Sequence, residues 1–168
     1  FSKDIIVPKN HQKYISRIQE TIFNLPSLNV VKDIKLLDKT IELTNNFSKG
    51  KKSFIIFGTG GSNLGAKALV NILHGNFKNK IFFFDNIDPI NFKNNILKID
   101  LKTAGIIIIS KSGSTPETLS QFASLIEIFD QKNILNTLFK NSLIITEDKE
   151  SPLANIAHSN NCLVKCSS

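Results

Sequence analysis

Strand-length apolar runs alternate with helix-like stretches through most of this chain, and that alternation constrains the fold more than any other feature. Five short runs are typical of strands: 54–57, 81–84, 106–109, 143–145 and 162–164. Four stretches between them are typical of helices: 63–74, 89–97, 117–130 and 152–158. The pattern predicts an α/β fold, a three-layer αβα sandwich around a parallel sheet of about five strands. In such sheets, ligands bind beyond the carboxyl ends of the strands, where the strand order reverses.

Two further helices are predicted ahead of the alternating region. Apolar residues recur at helical spacing over residues 9–24, where Pro26 ends the pattern, and again over residues 32–47. A polar break at residues 48–52 follows. We therefore expect N-terminal helices at residues 1–50, packing on the core, and one α/β domain at residues 51–168.

A loop rich in hydroxyl groups follows the third predicted strand. Residues 110–115, the hydroxyl loop, read Ser-Lys-Ser-Gly-Ser-Thr and lead through Pro116 into a helix. Hydroxyl groups, backbone N–H groups and the positive end of a helix dipole would converge there, which favours a bound phosphate. The alternative is ordinary helix capping by Ser or Thr before a proline. One hydroxyl would suffice for a cap, whereas this loop offers four in six residues and a lysine.

A glycine-rich loop follows the first predicted strand. Residues 58–65, the glycine loop, read Gly-Thr-Gly-Gly-Ser-Asn-Leu-Gly. Glycines let the backbone approach a ligand closely, and the N–H groups of the following helix favour an anion or a sugar hydroxyl. The loop nearly matches the dinucleotide fingerprint, with Asn63 in place of the third glycine and Asp85 where a ribose-binding acid would lie. A purely structural tight turn is the alternative.

The second predicted strand ends in Asp-Asn-Ile-Asp-Pro at residues 85–89. An Asx turn capping the helix at Pro89 and a functional role are both open for it. We do not expect its carboxylates to act as a general acid/base pair, because an acid at a helix start is held ionised. His74 is expected to cap a helix end, and His11 and His158 are given no role.

Composition excludes several classes of protein. The net charge is +7, but the lysines are scattered and Arg17 is the single arginine, which argues against a nucleic-acid interface. No apolar run approaches the roughly 18 residues of a membrane span, and no leader is expected. Cys162 and Cys166 are interpreted as incidental thiols of a reducing cytoplasm, and no metal is expected. A chain that opens with Phe1 and holds no methionine is expected to be a piece of a longer polypeptide.

The three loop motifs, taken together and in this order, resemble the N-terminal sugar-isomerase (SIS) domain of the glucose-6-phosphate isomerase family. The resemblance covers residues 54–164. It implies that the phosphate is bound by the hydroxyl groups of the hydroxyl loop and one backbone group, and the sugar by the glycine loop: Ser110, Lys111 (backbone), Ser112 and Thr115; Gly60, Gly61 and Ser62. The Gly113-Ser114 pair departs from the bulkier, threonine-rich centre of many members and is closer to the turn of other SIS proteins.

The resemblance also implies a reaction, the interconversion of glucose 6-phosphate and fructose 6-phosphate in glycolysis and gluconeogenesis, through an enediol. The glutamate base, the ring-opening histidine and an arginine are expected in a second SIS domain that this chain does not contain. A cytoplasmic homodimer without a cofactor is expected. Two other hypotheses stay open: a single SIS-domain regulator that senses a phosphosugar, and a nicotinamide-dependent oxidoreductase, which would leave the hydroxyl loop unexplained.

Overall fold

The computed structural model describes residues 11–25, 29–73 and 80–167. The chain divides into two compact units, residues 1–46 and 47–168. The expectations placed on Pro26 and His74 lie outside the described residues.

The first unit contains the two predicted helices. Helix α1 spans His11–Asn24, a 3-10 turn spans Val30–Lys32, and helix α2 spans Ile34–Ser48. The Asp33 carboxylate accepts a hydrogen bond from the backbone N–H of Leu36 at 2.9 Å, which caps the start of α2.

The second unit alternates strands and helices as the sequence predicts. Its elements, in chain order, are β1 Ser53–Phe57, α3 Gly61–Ile72, β2 Ile81–Phe84, α4 Pro89–Ile96, β3 Ala104–Ile109, α5 Pro116–Gln131, α6 Leu135–Lys140, β4 Ser142–Glu147, α7 Pro152–Ser159 and β5 Leu163–Ser167. The five strands form one sheet in the order β2-β1-β3-β4-β5, and every pairing is parallel. The predicted five-stranded parallel α/β fold is confirmed.

Local differences from the predicted elements have simple causes. Helix α6 is absent from the sequence-based prediction, because six residues are too short to show a helical period, although Leu138 within it is fully buried. Helix α3 begins at Gly61, earlier than predicted, since the glycines of the loop accept helical geometry. Strand β5 spans Leu163–Ser167 and so extends beyond the predicted end at residue 164, because its last residues are too polar to give a strand pattern.

The main core lies on one face of the sheet. Alternate residues of the central strands are fully buried beneath apolar residues of α5, and this set comprises Ile55, Phe57, Ile106, Ile108, Phe122, Leu125 and Phe129. Burying each such side chain contributes about 1.5–3 kcal/mol. This packing fixes β1 beside β3, so the two loops that follow these strands are held at the place where the strand order reverses.

Candidate functional site

The glycine loop and the hydroxyl loop lie side by side at the carboxyl edge of the sheet. They follow β1 and β3, which pair in parallel with Phe57 opposite Ile108. A Cβ atom placed on Gly58 would lie 3.4 Å from the Ile109 carbonyl oxygen and 3.3 Å from the Ser62 Cβ. The two loops therefore approach each other closely at residue 58, and an added Cβ there would be in tight contact with Ser62 of the glycine loop.

The side-chain hydroxyl groups of the hydroxyl loop converge on one another. The Oγ of Ser110 lies 2.9 Å from the Oγ1 of Thr115, and the Oγ of Ser112 lies 3.5 Å from the same Thr115 atom. Ser110 is almost fully buried, and Ser112 and Thr115 are half-buried. Three hydroxyl groups on one small patch can each turn a hydrogen toward a single anion.

Helix capping does not explain this cluster. Thr115 occupies the N-cap position of α5, yet its side chain makes no capping hydrogen bond. By contrast, Asp88 and Ser151 at the starts of α4 and α7 do cap their helices. The first-turn N–H groups of the sixteen-residue helix α5 are therefore left without the Thr115 hydroxyl as acceptor.

The backbone of the hydroxyl loop adds donors. Among the described residues, the N–H groups of Lys111 and Ser112 have no hydrogen-bond acceptor. The Lys111 side chain is 85% exposed and its ammonium lies 3.7 Å from the Glu147 carboxylate, at the end of β4. The backbone N–H of Lys111 is therefore available to a ligand, while its side-chain ammonium pairs with the Glu147 carboxylate at the end of β4.

The conformation of the hydroxyl loop depends on contacts with the end of β4 and the start of α7. Gly113 has a φ of +66°, and a Cβ there would lie 2.6 Å from the Ser151 Cβ. Leu153 donates its N–H to the Gly113 carbonyl at 3.0 Å, and Glu147 donates its N–H to the Lys111 carbonyl at 3.2 Å. No motif in the sequence links Ser151 or Glu147 to the hydroxyl loop, because these contacts are tertiary.

The Glu147 carboxylate is an acidic group beside the hydroxyl loop. Lys149 donates a hydrogen bond to it at 2.5 Å, and this contact, with Lys111 nearby, holds the pKa of Glu147 below its usual value. The carboxylate is therefore ionised and partly neutralised by two lysines. That neutralisation lessens its repulsion of an anion bound to the hydroxyl loop.

The glycine loop turns directly into α3. Gly60 has a φ of +53°, a conformation that side chains disfavour. The hydroxyl of Ser62, in the first turn of α3, has no hydrogen-bond partner among the described residues. Asn63 is 1% exposed, and its side-chain amide donates to the Gly58 carbonyl at 3.0 Å. The asparagine thus closes the turn by a hydrogen bond where a dinucleotide fingerprint would have a glycine.

The loop after β2 is held by structural contacts. The Asp88 carboxylate caps α4 by accepting from the N–H groups of Ile90 and Asn91 at 2.9 and 3.3 Å, as the capping alternative required. The Asp85 carboxylate pairs with the Lys67 ammonium at 2.5 Å. One oxygen of that carboxylate is therefore engaged by α3, which gives Asp85 a structural partner within the chain.

The described residues contain neither a metal-binding cluster nor a membrane-spanning helix. No cluster of three or more His, Cys, Asp or Glu side chains there is placed to hold a metal ion. Nor does any helix within those ranges have the length and apolar character needed to cross a membrane.

The fold and its paired loops define a class: a parallel α/β protein in which a glycine-rich loop and a hydroxyl-rich loop adjoin at the reversal of strand order. A family model described as phosphoglucose isomerase matches residues 25–151. The chain belongs to the phosphoglucose isomerase family.

Named relatives agree with this assignment. The chain is 39% identical over 103 residues to a probable glucose-6-phosphate isomerase of Methanococcus maripaludis, a match covering 58% of this chain and 23% of the relative. It is 35% identical over 122 residues to the glucose-6-phosphate isomerase of Campylobacter jejuni, a match covering 71% of this chain and 29% of the relative. The chain thus spans about a quarter of the length of these relatives.

Solved structures show the same fold. A crystal structure of a hypothetical protein from Thermus thermophilus superposes with a TM-score of 0.74 at 21% identity, covering 93% of this chain and 38% of that one. A glucose-6-phosphate isomerase from Chlamydia trachomatis superposes with a TM-score of 0.64 at 26% identity, covering 75% of this chain and 24% of that one.

Proposed function

We propose that this chain is the N-terminal part of a glucose-6-phosphate isomerase and supplies its phosphate- and sugar-binding loops. The observation that carries the proposal is the convergence of the Ser110, Ser112 and Thr115 hydroxyl groups within 2.9–3.5 Å while none of them caps α5. The family assignment and the names of the relatives support the same activity.

The phosphate of the substrate binds in the hydroxyl loop. Its oxygens accept hydrogen bonds from the three hydroxyl groups and from the Lys111 backbone N–H, beside the positive end of the α5 dipole. Donors that are already held in place lose little freedom on binding, so this interaction contributes affinity efficiently.

The sugar extends from the phosphate toward the glycine loop. Gly60 and Gly61 bring backbone close to the ligand without a Cβ atom, and the unpartnered Ser62 hydroxyl binds a sugar oxygen. The two loops then bind opposite ends of one phosphosugar, which fixes the orientation of the sugar carbons.

Proton transfer between C1 and C2 is carried out by groups outside this chain. The phosphate lies away from the reacting carbons, so its binding energy positions C1 and C2 next to a base supplied by a second SIS domain. The reaction is the aldose–ketose interconversion of glycolysis and gluconeogenesis, in a cytoplasmic homodimer that uses no cofactor.

Turnover of fructose 6-phosphate tests the proposal. A dehydrogenase-coupled assay should detect glucose 6-phosphate formed by the complete enzyme and none above the buffer rate by the 168-residue chain. Activity of the isolated chain would show that the base lies within it. Phosphosugar binding by the complete protein without turnover would indicate a sensing regulator instead.

A further inference from the structure

The loop between β2 and α4 contacts both helices that begin at the substrate-binding loops. We name residues 85–88 the bridging loop. On one side, the Lys67 ammonium of α3 pairs with the Asp85 carboxylate at 2.5 Å. On the other side, the Gln121 side-chain amide of α5 donates a hydrogen bond to the Asn86 carbonyl. One short loop is therefore attached to α3 and to α5.

Hydrogen bonds within the bridging loop restrict its conformation. The Asn86 side chain accepts a hydrogen bond from the Asp88 N–H at 3.2 Å, and the Asp88 carboxylate caps α4. Gln121 is 4% exposed, so water does not compete strongly for its hydrogen bond. The Lys67–Asp85 pair is more exposed, with 43% and 27% of the two side chains accessible, and is correspondingly weaker.

These contacts link the two halves of the substrate site. Helix α3 starts inside the glycine loop, and α5 starts directly after the hydroxyl loop. We propose that Lys67 and Gln121 are positioning residues which, through the bridging loop, hold the glycine loop at a fixed place relative to the hydroxyl loop. The inference rests on the proposed function, because it assigns the two loops to two ends of one phosphosugar.

A positioning role has a consequence that general stabilisation lacks. Inorganic phosphate contacts the hydroxyl loop alone, whereas a phosphosugar contacts both loops. Loosening the glycine loop should therefore weaken the phosphosugar and leave inorganic phosphate almost unaffected. A purely structural role would weaken both ligands together or lower only the stability.

The test uses the complete enzyme with Lys67→Met and Gln121→Met. We expect KM for fructose 6-phosphate to rise about three- to fivefold for Lys67→Met and about tenfold for Gln121→Met. The inhibition constant of inorganic phosphate should change less than twofold in both. Lys67→Arg should restore the wild-type KM. Matched controls are Lys93→Met on the exposed side of α4 and Gln131→Met at the end of α5, which should leave KM unchanged.

The double variant tests whether both residues act through the same loop. Its KM should rise by less than the product of the two single effects, because either change already releases the bridging loop. Unchanged KM in both single variants, or a parallel rise in the phosphate inhibition constant, would overturn the proposal. If Gln121→Met fails to fold, Lys67→Met at a partly exposed position and its Lys67→Arg rescue still decide it.

A readout without turnover separates this inference from the proposed function. Amide hydrogen exchange should accelerate in peptides covering the glycine loop of Lys67→Met and stay at the wild-type rate in those covering the hydroxyl loop. If the wild-type enzyme did not isomerise fructose 6-phosphate, the proposed function would fail while this exchange result could still hold. Unaltered exchange in the glycine loop would overturn the positioning role itself.

Discussion

Replacing Gly113 by alanine tests how the hydroxyl loop is held in place. Alanine at a φ of +66° costs about 1–2 kcal/mol. Its Cβ would also lie 2.6 Å from the Ser151 Cβ and 3.1 Å from the Thr146 Oγ1, so Ser151 must move. Ser151 caps α7, and loss of that cap costs about 1 kcal/mol more. Gly113→Ala should therefore lower the free energy of unfolding by about 2–3 kcal/mol.

Two further variants separate the backbone cost from the contact. Gly50 has a φ of +75° and nothing within 4 Å of an added methyl group, so Gly50→Ala should show the backbone cost alone. Ser151→Gly removes the two nearest atoms that the new Cβ would meet, the Ser151 Cβ and Oγ, and leaves the Thr146 Oγ1 at 3.1 Å. In that background, Gly113→Ala should cost less than it does in the wild type and come close to the cost of Gly50→Ala.

Urea denaturation, followed by circular dichroism, measures the free energies of unfolding of these variants in the 168-residue chain. Inorganic phosphate inhibition of the complete enzyme should weaken in Gly113→Ala and recover in the double variant. Equal costs for Gly113→Ala and Gly50→Ala would refute the account, because the Ser151 contact would then have no energetic weight.

Two other predictions concern ionisable groups. The pKa of Glu147 is lowered by its lysine partners, so its contribution to stability is present above the ordinary carboxyl value of 4.5 and is lost as pH falls through the lower folded value. Glu147→Gln should flatten the acid limb of the unfolding free energy, and an acid limb identical to that of the wild type would contradict the assignment. Burial raises the pKa of the Cys162 thiol, so iodoacetamide should modify Cys162 far more slowly in the native protein than in urea, as site-resolved mass spectrometry would show. Equal rates in the two states would mean that the thiol is accessible.

Local sequence signals are enough to predict the sheet and the positions of the glycine loop and the hydroxyl loop. A strand, a turn and a helix start are neighbours in the chain, so the glycine loop and the hydroxyl loop can be located from the amino-acid sequence alone. The parallel strands then require both loops to meet at one edge.

The contacts that organise the site cannot be predicted in this way. Lys67 and Asp85 are 18 residues apart, and Gln121 and Asn86 are 35 residues apart, with no periodic pattern joining them. The failure of Thr115 to cap α5 is equally hidden, because its sequence context, just before a proline, is that of an ordinary cap. The contact of Ser151 with Gly113 is hidden as well, since only the packing of β4 against β3 brings the two residues together.

Substituting Ser112 by alanine in the complete enzyme tests most directly whether the hydroxyl loop binds phosphate. Loss of one charge-assisted hydrogen bond of about 1.5–3 kcal/mol predicts roughly a ten- to hundredfold fall in kcat/KM. The inhibition constant of inorganic phosphate should rise in parallel, while Ser120→Ala on α5 should change neither value. Wild-type kinetics and wild-type phosphate inhibition in a folded Ser112→Ala enzyme would contradict the account, and the hydroxyl loop would then be no more than the start of a helix.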